Sequence, residues 1–297
     1  MPPDVPTRLP SANGLTIAQA LLSAQADGGL ERIDAQMLLL RVLGRQAGDR
    51  AWLLAHDTDT LGAEALEAYR ALCTRRAAGE PVAYLTGRKE FWGLSLAVDA
   101  RVLDPRPDTE TLVSWALEVI ADIPAPRIVD LGTGSGAIAL ALQVERRDAQ
   151  VLAIDASPDA LAVARVNASD LRLPVTFREG SWLEGVDGPF DLIVSNPPYI
   201  PSGDPHLAAL THEPLSALAS GNDGLDDIRL IIRQAPARLH TGGWLLLEHG
   251  WDQSEAVHAL LLQAGFGAVQ SRADLAGIAR CTGGKILENP PPDQTVE

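Results

Sequence analysis

Two short runs of this chain hold residues whose types and spacing can do chemistry. The first is Val129-Asp130-Leu131-Gly132-Thr133-Gly134-Ser135-Gly136. Glycine at every second position lets a backbone turn sharply and approach a ligand closely, and Asp130 ahead of it suits a cationic amino group. The dinucleotide pattern wants glycines at 132, 134 and 137; Ala137 stands at the last of these, which that pattern tolerates. On these residues alone the ligand is any nucleotide-type molecule, and a tight strand-to-helix turn with no ligand stays open. Asp155, farther along, can accept hydrogen bonds from both hydroxyls of a ribose.

The second run is Ser195-Asn196-Pro197-Pro198-Tyr199. Two prolines remove two backbone donors and stiffen the chain. The Asn196 side-chain oxygen and the Pro197 carbonyl are then acceptors held in set directions. A planar NH₂ group, with its two donors, fits between them, and Tyr199 can cover its flat face. Trp182 offers a stacking surface to a ligand or packs in a core. Arg106, Asp108 and Glu110 either line the entrance to such a site or form a solvated turn capped by Asp108 or Thr109. His212 and His249 each adjoin a glutamate, but neither makes HExxH or another metal spacing, so no metal is expected.

The elements that must position these runs can be read from periodicity. Ile17, Leu21 and Ala24 recur at helical spacing, as do Ile33, Met37 and Leu40, then Leu61, Ala65, Leu66, Tyr69 and Leu72. Thr16, Asp49 and Thr60 are candidate helix starts, with breaks at Gly28-Gly29, Gly44 and Gly79-Glu80-Pro81. Residues 1–80 are therefore expected as a small all-α bundle. Residues 81–104 are expected as a β-hairpin linker, because Phe91-Trp92-Gly93-Leu94-Ser95-Leu96-Ala97-Val98 alternates after a turn-prone stretch. Residues 105–297 alternate expected strands (127–131, 151–155, 175–179, 190–195, 244–249) with helices, which implies an α/β, mostly parallel sheet covered on both faces. The last two extended runs, 268–272 and 280–287, are too close for a parallel crossover and should pair antiparallel. A proline-rich tail follows.

Composition narrows the classes. The net charge is -15, from 39 acids against 24 bases, and most of the excess lies beyond residue 85. A broad phosphate-neutralising surface, and with it a direct nucleic-acid partner, is therefore not expected. No apolar run is long enough to cross a membrane, and the start of the chain does not read as a signal peptide. The two cysteines, Cys73 and Cys281, lie far apart and form no disulfide framework, so a cytoplasmic location is expected.

DxGxGxG followed by NPPY resembles the class I S-adenosylmethionine-dependent methyltransferases that act on planar nitrogen. Within that group the chain closely resembles the N5-glutamine methyltransferases of peptide chain release factors. The likeness extends to Pro81-Val82-Ala83-Tyr84-Leu85-Thr86-Gly87, Glu90-Phe91-Trp92, Pro105-Arg106-Pro107-Asp108-Thr109-Glu110, His212-Glu213-Pro214, Gly224-Leu225, Trp244-Leu245-Leu246-Leu247-Glu248-His249-Gly250 and Asp274-Leu275-Ala276-Gly277. It departs at Asp104, usually aliphatic in the family, and at Ala276-Gly277-Ile278-Ala279-Arg280, where an aromatic is more usual.

The resemblance implies a Rossmann-like methyltransferase sheet, S-adenosylmethionine as methyl donor, and class I release factors as protein substrate, methylated on the glutamine of their Gly-Gly-Gln loop. Residues 1–80 become a substrate-recognition domain. Asn196, Pro197 and Tyr199 become catalytic. Asp130, Gly132, Thr133, Gly134, Ser135, Gly136, Asp155, Trp182 and Asn196 hold the cofactor. Asn196, Pro197, Pro198, Tyr199 and Arg106 hold the substrate. Two rival readings stand beside this one: a methyltransferase of exocyclic amines in DNA or RNA, which NPPY permits, and a non-catalytic module that keeps the cofactor fold.

Overall fold

The computed structural model describes residues 14–287, which divide into two units between Thr86 and Gly87. The first holds α1 (Ile17–Ala26), α2 (Arg32–Val42), α3 (Arg50–Ala55), α4 (Ala63–Ala77) and α5 (Val82–Thr86). Thr16 starts α1 through a capping box, its hydroxyl accepting from Gln19 N while Gln19 Oε1 accepts from Thr16 N. Ile17, Leu38, Leu39, Leu40, Leu53 and Tyr69 fill the core, and the Tyr69 hydroxyl donates to the Ala35 carbonyl at 3.2 Å. Thr60 does not start α4; it forms a one-residue bridge with Thr16, and Gly62 takes the cap. The unit runs past Pro81 because α5 buries Ala83 and Leu85.

The second unit opens with a hairpin, β1 (Arg88–Phe91) and β2 (Leu94–Ala97). Trp92 and Gly93 both take positive φ (52° and 69°), the requirement of a two-residue turn whose twist matches that of the strands. The Asn167 side chain bonds Ala97 N and O and also the Ser135 carbonyl, tying the hairpin to the glycine run.

Next come α6 (Glu110–Val119), β3 (Arg127–Leu131), α7 (Ala137–Glu145), β4 (Gln150–Asp155), α8 (Pro158–Leu171), β5 (Thr176–Glu179) and β6 (Phe190–Ser195). The chain ends with α9 (Asp226–Gln234), β7 (Leu239–Glu248), α10 (Ser254–Gln263), β8 (Phe266–Ala273) and β9 (Ala279–Ile286). The sheet order is β5-β4-β3-β6-β7-β9-β8. Contacts from β5 through β7 are parallel, and β7–β9 and β8–β9 are antiparallel. The short connector before β9 forces that last reversal, as expected from its length.

Burial on both faces explains the near-continuous apolar strands. Ile128 points into a core with Leu112, Trp115 and Leu140, whereas Val129 and Leu131 point into the opposite core with Ile228, Ile231, Val257 and Leu261. β7 begins five residues earlier than its apolar run, because Leu239 pairs with Phe190 across a register irregularity. The intervening His240-Thr241-Gly242-Gly243 has no hydrophobic pattern to announce a strand. Strand order reverses at β3 and β6, where Leu131 pairs with Ser195. The two chemical runs therefore emerge side by side at the carboxyl edge, the usual ligand crevice of such sheets.

Candidate active site

The glycine run leaves β3 and enters α7. Gly132, Gly134 and Gly136 have φ of 68°, 55° and 84°. Two of them also meet close neighbours. A Cβ on Gly132 would stand 3.2 Å from Trp182 Cζ3, and one on Gly136 would stand 3.1 Å from Leu140 Cδ1 and 3.3 Å from Ala164 Cβ. Only glycine permits that backbone and those approaches together.

Two carboxylates hold this loop. Asp130 is fully buried, and its Oδ2 accepts from Thr133 Oγ1 at 2.6 Å and Ala139 N at 3.2 Å. Its Oδ1 has no hydrogen-bond partner among the described residues. Burial pushes its carboxyl up to about 7, against the pull of the Thr133 and Ala139 hydrogen bonds. Asp155, at the end of β4, accepts Gly134 N on Oδ2 (2.8 Å) and Ser157 N on Oδ1 (2.9 Å). Each Asp155 oxygen retains a further lone pair for a ligand hydroxyl. Trp182 lies against Gly132, and its Nε1 donates to Asp227 Oδ1 at 3.2 Å.

Asn196 follows β6, whose end is pinned by Ser195 Oγ donating to the Leu131 carbonyl at 2.7 Å. The Asn196 Nδ2 donates to Thr109 Oγ1 at 3.2 Å. One N–H of the amide is thus spent on the protein, and its acceptor oxygen has no partner among the described residues. Tyr199 is held from both ends. Its hydroxyl donates to Glu248 Oε1 at 3.4 Å, and its carbonyl accepts from Gln253 Nε2 at 2.9 Å. Burial and the neighbouring Glu248 charge push the Tyr199 hydroxyl up, so it stays protonated near neutral pH.

Two cavities meet here. One is lined by Thr109, Gly132, Thr133, Gly134, Ser135 and Ile138, and the other by Tyr199, Ile200, Leu210, Ala217 and Leu218. Leu103, Arg106 and Asn196 belong to both linings. Arg106, expected on the substrate side, is anchored by an ion pair with buried Glu213. Asp108 pairs with Arg280 (3.5 Å), and Glu110 accepts Trp92 N at the hairpin turn (2.8 Å), so neither is a pocket residue. Pro197, Pro198, Asp130, Gly136, Asp155 and Trp182 also stand outside both linings. Asp104, the departure from the family pattern, is buried and takes a hydrogen bond from Lys89 Nζ at 3.2 Å. His249 bonds Thr282 and Gly250 on its two ring nitrogens.

Sequence reasoning missed two residues here, Thr109 and Glu248. Thr109 was expected to cap a helix and makes no capping bond. In the sequence Glu248 stands out only as a neighbour of His249. The signal available for both was their place in the quoted family stretches.

A glycine cradle at the strand switch, closed by an acid on the next strand, suits an adenosine-bearing methyl donor, and fold and site together define a class I methyltransferase. The family model "Methyltransferase small domain" matches residues 109–278, and "PrmC N-terminal domain" matches residues 15–87. The release factor glutamine methyltransferase of Xylella fastidiosa (strain Temecula1 / ATCC 700964) is 52% identical over 270 residues, covering 90% of this chain and 97% of its own length. That of Bordetella pertussis (strain Tohama I) is 51% identical over 276 residues, covering 92% and 100%. The solved hMettl16 catalytic domain in complex with a MAT2A 3'UTR hairpin shares the fold, with a TM-score of 0.56 at 15% identity over 73% of this chain and 82% of its own. The chain belongs to the release factor glutamine methyltransferase family.

Proposed function

We propose that this chain transfers a methyl group from S-adenosylmethionine to the side-chain amide nitrogen of a glutamine in class I peptide chain release factors. The observation that carries this reading is Asn196, which lines both cavities with its Nδ2 bonded to Thr109 and its oxygen without a partner among the described residues. S-adenosylmethionine supplies an electrophilic methyl on a sulfonium. The residues fit that donor: Trp182 packs directly on Gly132 beside the loop, buried Asp130 keeps an oxygen with no partner among the described residues, and Asp155 has acceptor capacity to spare. The cofactor-holding set is thus Asp130, the loop 132–136, Asp155, Trp182 and Asn196.

An amide nitrogen is a weak nucleophile because its lone pair is delocalised into the carbonyl. Asn196 Oδ1 and the Pro197 carbonyl accept its two N–H bonds and align it, and proximity of this kind is worth up to ~7–11 kcal/mol. The same acceptors stabilise positive charge as the C–N bond forms, an interaction strongest in the transition state. Tyr199 covers the amide plane, and Arg106 and Pro198 frame the entrance. The helical unit recognises the release factor away from its Gly-Gly-Gln loop. The net charge of -15 supports a protein partner without direct nucleic-acid binding, and the reaction takes place in the cytoplasm.

The test uses methyl-labelled S-adenosylmethionine with purified release factor, ribosomal RNA and duplex DNA in parallel. Label on one release-factor glutamine, located by peptide mass spectrometry, is expected. Label on nucleic acid alone would refute the proposal.

A further inference from the structure

Two adjacent prolines leave the Asn196-Pro197-Pro198-Tyr199 run short of anchors. Neither Pro197 nor Pro198 has a backbone N–H, so the middle of the run cannot donate to any neighbour. The Pro197 carbonyl must also stay available if it is to accept from a substrate NH₂. Hydrogen bonding can therefore fix the run chiefly at its two ends. Upstream, Ser195 Oγ donates to the Leu131 carbonyl at 2.7 Å, and Asn196 Nδ2 donates to Thr109 Oγ1 at 3.2 Å. Downstream, the Tyr199 carbonyl accepts from Gln253 Nε2 at 2.9 Å, across 54 positions of sequence.

Gln253 is 7% exposed and stands at the start of α10, yet its side chain caps none of that helix's amides. It serves three other backbone segments instead. Nε2 donates to the Tyr199 carbonyl and, at 3.2 Å, to the Asp223 carbonyl, while Oε1 accepts from Gly250 N at 2.8 Å. Both N–H bonds of the amide are used, and its direction is set. Turning it over would place its oxygen against two carbonyls and its NH₂ against an N–H. Gly224 makes room for the arrangement. Its φ is 77°, and a Cβ there would overlap the Tyr199 carbonyl oxygen and stand 2.6 Å from Gln253 Nε2.

We infer that Gln253 is a positioning residue for methyl transfer: its amide clamps the downstream end of the Asn196–Tyr199 run, and so aims the Asn196 and Pro197 acceptors and seats Tyr199. This inference rests on the glutamine-methylation reading and deepens it. Each proline fixes its own φ, which removes two of the rotations that could absorb a shift between Tyr199 and Asn196. A displacement at the clamp is therefore passed on to the acceptors. The three Gln253 bonds go to Tyr199, Asp223 and Gly250, whereas the glycine loop is held separately by Asp130 and Asp155. Loss of the clamp should thus fall on the chemical step and spare the cofactor.

The test compares full-length wild type, Gln253→Glu, Gln253→Met, Asn196→Ala and the Asn196→Ala/Gln253→Met double variant in single-turnover methylation of purified release factor. Glutamate matches glutamine in size and still accepts from Gly250 N, but its ionised form cannot donate to either carbonyl; methionine fills the space without a donor. Each Gln253 substitution should lower the rate about 10–100-fold, the scale of a misaligned reacting group. S-adenosylmethionine affinity by calorimetry, and the half-saturating release-factor concentration, should change less than about threefold. In the Asn196→Ala background Gln253→Met should cost at least about fivefold less than in wild type, because one acceptor it aims is already gone. A second readout needs no turnover. The chain has three tyrosines, Tyr69, Tyr84 and Tyr199, so fluorotyrosine labelling resolves Tyr199, assigned by Tyr199→Phe. Its fluorine line should shift or broaden in Gln253→Met.

A Gln253→Met rate equal to wild type overturns the clamp, and so does a fully additive loss in the Asn196→Ala background. Loss of S-adenosylmethionine affinity as large as the loss of rate also overturns it, because that marks a merely structural role. Should Gln253→Glu fail to fold, the methionine variants decide alone. A wild-type enzyme that leaves release factor unmethylated overturns the substrate reading and not the clamp. The clamp is then decided by the Tyr199 fluorine line, and an unchanged line in Gln253→Met refutes it.

Discussion

Replacing Asn196 with alanine separates chemistry from folding. Among the described residues the Asn196 side chain makes one hydrogen bond, to Thr109 Oγ1 at 3.2 Å. Losing one such half-buried bond costs about 1 kcal/mol of stability, which lowers the melting temperature by roughly 2–4 °C in a unit of this size. The local backbone persists, because Leu192, Ile193 and Val194 are fully buried and Ser195 Oγ stays bonded to the Leu131 carbonyl. The glycine loop keeps its own supports at Asp130 and Asp155. Cofactor affinity should therefore survive.

Turnover should not. Losing a preorganised group aimed at developing charge typically costs ~10²–10³ in rate, or about 3–4 kcal/mol. Asn196→Asp is the finer probe. Neither carboxylate oxygen can donate to Thr109, so the Thr109 hydroxyl must donate to the aspartate instead. One oxygen still faces the substrate, so the aspartate variant should outperform alanine. The assay is label transfer to release factor at saturating cofactor, with calorimetry of S-adenosylmethionine binding and a thermal melt alongside. Methylation by Asn196→Ala at the wild-type rate would show that Asn196 does not hold the amide.

Asp155→Ala removes the acceptor of Gly134 N and Ser157 N, so it should weaken S-adenosylmethionine by about 1–3 kcal/mol in calorimetry; unchanged affinity, or NAD binding in its place, contradicts the cofactor reading. The buried carboxyls of Asp130 and Glu248 are both pushed up to about 7. Between about pH 4.5 and 7 the folded state keeps protons that the unfolded state has lost, so each group's contribution is complete below that window and is lost as pH rises through it, on the order of 3 kcal/mol per group. Chemical denaturation of wild type against Glu248→Gln at pH 5 and 7.5 reads the Glu248 share, and an identical pH slope in the two proteins would contradict it. A chain beginning at Gly87 should bind S-adenosylmethionine with wild-type affinity yet lose efficiency on intact release factor, and unchanged kinetics would remove the recognition role from residues 14–86.

Much of the site was legible from local order alone. Glycines at 132, 134 and 136 declare positive φ, because other residues are strained there. The prolines at 197 and 198 declare a stiff exit from a strand. The alternation of strands and helices declares the parallel sheet, and the short connector before β9 declares its antiparallel end. Each of these follows from sterics within a few residues, and a sequence states those directly.

The domain boundary was less legible, because residues 81–86 read as the start of the hairpin linker until Ala83 and Leu85 are seen buried in a helix that packs on α2 and α4. What only the tertiary structure decided is the environment of each functional group. The register Leu131↔Ser195 brings the two runs together. Asp155 reaches back to Gly134, Trp182 closes on Gly132, and Thr109 meets Asn196 across the chain. Glu248 was an ordinary glutamate in the sequence; at the end of β7 burial raises its carboxyl, and its Oε1 accepts the Tyr199 hydroxyl. Desolvation and hydrogen-bond direction depend on which atoms lie within a few ångströms through space, and no spacing along the chain encodes that.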